Sequence, residues 1–183
     1  MAERIRGLTR AISVEVSAMG VHRGPVQGYG DGEHPLAGYT ALIALYNALF
    51  AAGLVLARRT GRRLPERFGA TDVLLFAVGT FRLSRLLSKD SVTSALRAPF
   101  TEFEEPAGSG EVNERPRGTG LRKAVGELLT CPFCIGQWVA SAFAFGMVFA
   151  PRFTRFVAAI GAMMTLADWL HYGNELLKQK SEG

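Results

Sequence analysis

The sequence has few of the residues on which most enzyme chemistry depends. Its 183 residues include only two cysteines and three histidines, and no histidine is spaced from a serine in a way that predicts a catalytic triad. A phosphate loop ending in Gly-Lys-Ser/Thr and a His-Glu-x-x-His zinc motif are also lacking. An ordinary hydrolase is therefore not predicted, and the sequence favours a protein that is not an enzyme.

Charge is absent from two long stretches, Pro35–Ala57 and Leu128–Pro151. Each is long enough, as a helix, to cross a hydrocarbon core of about 30 Å. Two further apolar stretches, Phe68–Leu87 and Phe156–Tyr172, carry a few charges. Buried helices of soluble proteins are interrupted by polar residues at every turn, unlike these runs. The sequence predicts an all-α integral membrane bundle of about four short transmembrane helices, the third of them near 135–150.

Composition divides the chain into four parts. Residues 1–34 combine a glycine-rich linker with an amphipathic segment, which predicts either an interfacial helix or a weakly ordered tail. Residues 35–67 hold the first span and a basic turn. Residues 68–175 form a membrane domain with a mobile polar loop at 101–120, where glutamate, glycine and proline dominate. Residues 176–183 form a polar tail.

The net charge of +5 points to the membrane rather than to nucleic acid. The basic residues flank the apolar runs and form no recognition helix, so the expected partner is the lipid bilayer and not nucleic acid. A homodimer or a larger membrane complex also fits the sequence.

The orientation in the cell membrane is not resolved by the positive-inside rule. Five arginines after the first span favour a cytoplasmic turn there: Arg58, Arg59, Arg62, Arg63 and Arg67. Cations after the second span, together with two in the tail, favour the opposite side: Lys89, Arg97, Arg122, Lys123, Lys178 and Lys180. With four spans both sets cannot be inside. We lean toward a cytoplasmic cysteine pair, which would be reduced or metal-bound.

The two cysteines form the sharpest local motif, in which Cys131 and Cys134 enclose Pro-Phe and are followed by Gly136 and Trp138. Thiols at this spacing can close a small disulfide or share a metal ion, and a helix N-terminus would stabilise a thiolate. The tetrapeptide resembles the active site of glutaredoxins, but the strand–helix pattern of their fold is absent. Redox activity, metal binding and a purely structural role therefore remain open, and no catalytic residue is assigned.

Zinc is the cofactor that the cysteine pair could bind. A structural zinc site takes four ligands, and none of His22, His34 and His171 lies at the usual spacing from the cysteines. A site built from the cysteine pairs of two chains would imply a dimer.

Four ionisable residues lie within the weaker apolar stretches: Asp72, Arg82, Arg85 and Asp168. Unpaired charges are costly in lipid, so we expect Arg82 or Arg85 to pair with Asp168 across the bundle. The alternative is that all four lie at the membrane interfaces. Such charges also permit a weaker hypothesis, a small transporter or channel subunit.

Several separated motifs resemble one bacterial family. They are Phe81-Arg82-Leu83-Ser84-Arg85-Leu86, Asp90, Arg97-Ala98-Pro99-Phe100, Glu127-Leu128-Leu129 and Cys131-Pro132-Phe133-Cys134-Ile135-Gly136-Gln137-Trp138. In this order they are similar to a family of small membrane proteins known as domain of unknown function 1360, found in bacilli and actinobacteria, with sporulation-associated members. The resemblance covers residues 71–175. It implies a short multi-span membrane protein with a cysteine pair before a span, and no established activity.

Two main hypotheses about function follow. The sequence favours a non-enzymatic scaffold or assembly component, whose cysteine pair is structural or binds metal. The alternative is a membrane thiol–disulfide protein that uses Cys131 or Cys134 as the attacking thiolate.

Overall fold

The computed structural model describes residues 34–182. The chain divides into two units, residues 1–36 and 37–183, and the second contains nearly every element given below. The predicted interfacial helix near the N-terminus lies outside the described residues.

Six α-helices and one β-hairpin make up the described part of the chain. In order they are α1 (Leu36–Arg59), α2 (Ala70–Ser88), a 3₁₀ turn (Ser91–Thr93), α3 (Ser94–Arg97), β1 (Thr101–Gly108), β2 (Glu111–Pro116), α4 (Gly120–Thr130), α5 (Pro132–Phe149) and α6 (Pro151–Glu182).

Helix α2 lies at the centre of the bundle and packs against both α5 and α6. Its Phe76 stacks on Phe143 of α5, with ring centroids 5.3 Å apart. On the other side, Gly79 lets α6 approach so closely that a Cβ there would lie 3.2 Å from the Cα of Ala158. Small residues therefore permit the α2–α6 contact, as is common between membrane helices.

Helix α1 lies along α5 with most of its surface exposed. Tyr46 meets Trp138 edge to face at 5.2 Å, and Phe50 meets Phe145 at 5.1 Å. Almost no α1 side chain is buried by protein, although the helix is strongly apolar. That combination fits a helix whose surroundings are lipid rather than water.

Among the described residues, three helices are long and apolar enough to cross a membrane: α1, α5 and most of α6. Helix α2 does not join them, because Asp72, Arg82 and Arg85 lie within its 19 residues. The structure therefore supports a membrane protein but does not confirm four spans.

The prediction of a mobile loop at 101–120 is wrong for most of that segment. Strands β1 and β2 pair antiparallel from Thr101 opposite Pro116 to Gly108 opposite Glu111. The turn between them places Gly108, Ser109 and Gly110 at positive φ, which glycine adopts at little cost. The fold is accordingly not purely helical. We call residues 89–130 the polar cap: the 3₁₀ turn, α3, the hairpin and α4.

Helix α4 is a short amphipathic helix that leads into α5. The polar tail is not separate from the fourth apolar stretch, because α6 continues to Glu182 without a break.

Candidate functional site

Cys131 and Cys134 form a disulfide at the beginning of α5. Cys131 is the N-cap, and its Sγ accepts a hydrogen bond from the backbone N–H of Cys134 at 3.1 Å. Pro132 occupies the first helical turn, where it lacks only an N–H that would be unpaired there. The first turn thus brings the two sulfurs together. The reduced or metal-bound pair that we favoured from sequence is not what the structure contains.

The disulfide borders a cleft between α1, α4 and α5, which Cys134 helps to line. The cleft has a volume of about 450 Å³. Its lining includes the aromatic residues Tyr39, Tyr46 and Trp138. The aliphatic residues Leu42, Ile43 and Leu128 also line it, together with Cys134. Cys134 is exposed, and the neighbouring Phe133 is 92% exposed. The disulfide is therefore open to approach by other molecules.

Polar groups at the cleft form an ordered hydrogen-bond circuit. Gln137 Nε2 donates to Tyr46 Oη at 2.8 Å, and Tyr46 Oη lies 2.7 Å from Ser141 Oγ. Ser141 Oγ in turn donates to the backbone carbonyl of Gln137 at 2.9 Å. Tyr39 Oη donates to Glu127 of α4. These bonds hold the aromatic walls in fixed positions.

Within residues 34–182, no three His, Cys, Asp or Glu side chains cluster closely enough to hold a metal ion. The zinc site shared between two chains stays a prediction.

A second polar site surrounds the end of α2. Arg82 donates to Asp90 at 3.0 Å, and its Nε lies 3.7 Å from Asp168 of α6. Arg85 instead pairs with Glu111 at the hairpin turn, at 2.6 Å. The structure thus brings Arg82 within ion-pair distance of Asp168, as the sequence led us to expect of one of the two arginines. It gives Arg85 a partner that the sequence analysis missed.

Asp72 lies at the opposite end of α2. It forms a two-pronged ion pair with Arg155 of α6, at 2.7 and 2.8 Å. This pair joins the beginnings of the two helices, whereas Arg82 lies toward the other end of α2.

The most buried charge belongs to Arg97, a motif residue whose role the sequence did not reveal. Its side chain is 1% exposed, and that of its partner Glu114 is 4% exposed. Arg97 donates to both carboxylate oxygens of Glu114, at 2.7 and 3.0 Å. Its remaining N–H groups reach Thr93, Ser94 and the carbonyls of Leu87 and Asp90. Arg97 therefore ties α2, the 3₁₀ turn, α3 and β2 together.

Glu114 is held in its ionised form. Burial by itself raises the pKa of this carboxyl, but hydrogen bonds from Arg97, Ser94 and Thr101, together with the charge of Arg97, outweigh it and leave the pKa below its usual value. The sequence does not reveal the role of Glu114, because this residue looks like any other glutamate of a polar segment. A signal was present in the Gly-Ser-Gly turn at 108–110, which separates two segments of similar length.

The remaining motif residues have packing roles. Asp90 holds Arg82, and the Pro99 carbonyl accepts two hydrogen bonds from Arg122, the shorter at 2.7 Å. Gly136 faces α2 near Ser84, and Trp138 forms a wall of the cleft. The family-like motifs thus meet at one end of the bundle, around the cap and the disulfide.

Comparisons with known proteins match the part of the chain that carries these motifs. The family model described as "Protein of unknown function (DUF1360)" matches residues 75–173. The chain is 35% identical over 102 residues to Sporulation protein YjcA of Bacillus subtilis (strain 168), a match that covers 54% of this chain and 86% of that protein. It is 26% identical over 117 residues to UPF0713 protein YngL of the same organism, covering 61% of this chain and 88% of that protein. No solved structure matches it. The resemblance seen in the sequence is confirmed, and the chain belongs to the DUF1360 family of proteins of unknown function.

Proposed function

We propose that this chain is a membrane thiol–disulfide protein in which Cys131 and Cys134 exchange with the thiols of other molecules. One observation carries the proposal: the disulfide is exposed at a helix N-terminus and borders a cleft. The sequence alone favoured a non-enzymatic component, and the position of the disulfide reverses that order.

The small size of the disulfide loop argues against a purely structural role. The chain-entropy model gives about 2 kcal/mol for closing a four-residue loop, compared with about 3 kcal/mol for a loop of 15 residues. Helix α5 also has a proline in its first turn and packs along its length against α2. The disulfide therefore stabilises the fold less than one that closes a longer loop. Because it is also accessible, it is better suited to exchange than to a structural role.

The geometry favours a particular direction of attack. An incoming thiolate attacks Sγ of Cys134, the more exposed of the two cysteines, and the Cys134–Cys131 bond breaks. Cys131 leaves as a thiolate, stabilised by the Cys134 N–H and by the positive end of the helix dipole. A second thiolate of the substrate then displaces Cys134. The substrate becomes a disulfide, and Cys131 and Cys134 become thiols.

The arginines that follow α1 support a pair that faces away from the cytoplasm. The five arginines that follow α1 lie at the end of the bundle opposite the disulfide, where α6 begins with Arg152 and Arg155. The first membrane helix usually dominates orientation, so this basic end would be cytoplasmic. The cysteine pair would then lie on the oxidising side, where disulfides persist.

Trapping with single-cysteine variants tests the proposal. Thiol–disulfide exchange is reversible, so the Cys134 thiolate of Cys131→Ser can attack a disulfide of the substrate. In intact cells of the native host this variant should accumulate mixed disulfides through Cys134, because Cys131 is no longer present to displace the substrate. The double Cys→Ser variant is the control and should trap nothing. A membrane-impermeant maleimide should label the wild-type pair only after reduction. A pair that is already reduced and is shielded from this reagent would overturn the proposal.

A non-enzymatic assembly component remains the second candidate. One relative bears the name of a sporulation protein, and the cap displays Val92 and Leu96 at 79% and 67% exposure. In a deletion strain this role requires the double Cys→Ser variant to restore the phenotype. Leu96→Asp, expressed at an equal level, should then fail. The opposite result supports thiol exchange.

A further inference from the structure

The cleft beside the disulfide has the size and walls of a small-molecule site. Its volume of about 450 Å³ falls within the range of ligand pockets. Tyr46 and Trp138 meet edge to face in its wall, and Ile43 at its rim is exposed. Its sides are formed by α1 and α5, both apolar enough to cross a membrane. A ligand would therefore enter from the lipid.

The wall of the cleft narrows the class of ligand. The aromatic side chains in the lining suit a planar ring, and Cys134 among them suits a ring that can take up electrons. The Gln137 amide carries two N–H groups, one of which donates to Tyr46. The other is a donor of the kind that a ring carbonyl accepts. Resting on the thiol–disulfide function proposed above, we propose that the cleft binds a membrane quinone, which reoxidises the reduced cysteine pair.

The reaction balances as a two-electron transfer. The Cys134 thiolate adds to a carbon of the quinone ring and forms a C–S bond. The Cys131 thiolate attacks Sγ of Cys134, so the S–S bond forms as the C–S bond breaks. The bonding electrons pass to the ring, and its two oxygens take up the two protons that the thiols have lost. One dithiol and one quinone thus yield one disulfide and one hydroquinone.

The full-length chain in lipid nanodiscs provides the test. The protein is reduced, freed of reductant without oxygen, and mixed with a one-isoprene ubiquinone or with menadione. Loss of quinone absorbance and closure of the disulfide, measured by a maleimide gel shift, should follow each other one to one. Benzoquinone and naphthoquinone arms show which ring the cleft prefers. No oxidation by either quinone would overturn the proposal.

A matched pair of variants locates the reaction. Ile43→Trp places a large ring in the cleft, whereas Leu45→Trp adds the same ring on an exposed part of α1 that does not line it. We expect Ile43→Trp to slow oxidation by quinone about tenfold or more, and Leu45→Trp to leave it unchanged. Equal rates in the two variants would mean that the cleft is filled by lipid alone and would overturn the site.

Oxidised glutathione reaches the cysteines from water rather than from the lipid. It therefore tests thiol–disulfide exchange separately from the quinone site. Leu45→Trp, which lies outside the cleft, should react with it as the wild type does. Reaction with glutathione but not with quinone overturns the quinone site and leaves thiol exchange standing. Reaction with neither, in protein that gives the wild-type circular dichroism spectrum, overturns both.

Discussion

The substitution Glu114→Gln should loosen the β-hairpin from the rest of the cap. It removes the carboxylate that Arg97 contacts within residues 34–182, while the amide keeps nearly the same shape. Removing one partner of a buried ion pair costs about 3–5 kcal/mol, because the other charge remains buried without compensation. The side chain of Arg97 is 1% exposed, so we expect the whole of this cost in free energy.

Hydrogen exchange of backbone amides measures this loss directly. The Val112 N–H donates to Lys89 O and the Arg117 N–H to Phe100 O, both at 2.9 Å, so these amides report the docking of the hairpin. Since about 1.4 kcal/mol is a factor of ten, their exchange should accelerate by about 10²–10⁴ where reclosing is fast.

The control is Glu102→Gln in the same hairpin. Glu102 pairs with Arg115 at 2.9 Å, but their side chains are 40% and 65% exposed, so the loss should stay below about 1 kcal/mol. Exchange in Glu114→Gln no faster than in this control would refute the reasoning. If Glu114→Gln does not fold, adding Arg97→Met should recover stability, since no buried charge is left unpaired.

The remaining predictions concern pH and packing. Folding lowers the pKa of Glu114. The contribution of this carboxylate to stability is therefore complete above the unfolded pKa of about 4.3 and is lost as pH falls through the lower folded value. Acid should accelerate exchange of the hairpin amides in the wild type and change exchange in Glu114→Gln little. Gly79→Val should cost about 1–3 kcal/mol in detergent unfolding, because a Cβ there would lie 3.2 Å from the α6 backbone. Asp90→Asn should cost about 1.5–3 kcal/mol, since Asp90 makes the direct bonds to Arg82, whereas Asp168→Asn should cost less than about 1 kcal/mol at a separation of 3.7 Å.

Each of these predictions has an outcome that contradicts it. An acid limb of equal steepness in wild type and Glu114→Gln would assign the effect to another carboxyl. Gly69→Ala is the packing control, because nothing lies within 4 Å of the added Cβ. A loss in Gly69→Ala equal to that in Gly79→Val would mean that the α2–α6 contact does not matter. A larger loss in Asp168→Asn than in Asp90→Asn would reverse the assignment of Arg82.

The features that depend on runs of residues or on short spacings could be predicted from the sequence. Charge-free stretches predicted α1 and α5, because a span in lipid must satisfy its backbone internally and carry few charges. The cysteine spacing identified the pair at the beginning of α5. The order of the motifs identified the family. Each of these signals is local or linear in the chain.

Which charged side chains form ion pairs is visible in the tertiary structure and not in the sequence. Arg97 and Glu114 are 17 residues apart, and Arg85 and Glu111 are 26 apart, in a segment whose composition predicted a loop. Few apolar groups support the hairpin, so its stability rests on ion pairs that no periodicity reveals. The cleft likewise exists only because α1 lies beside α5, which places Tyr46 against Trp138. Pairing between distant residues depends on how helices pack, and a linear pattern does not encode that geometry.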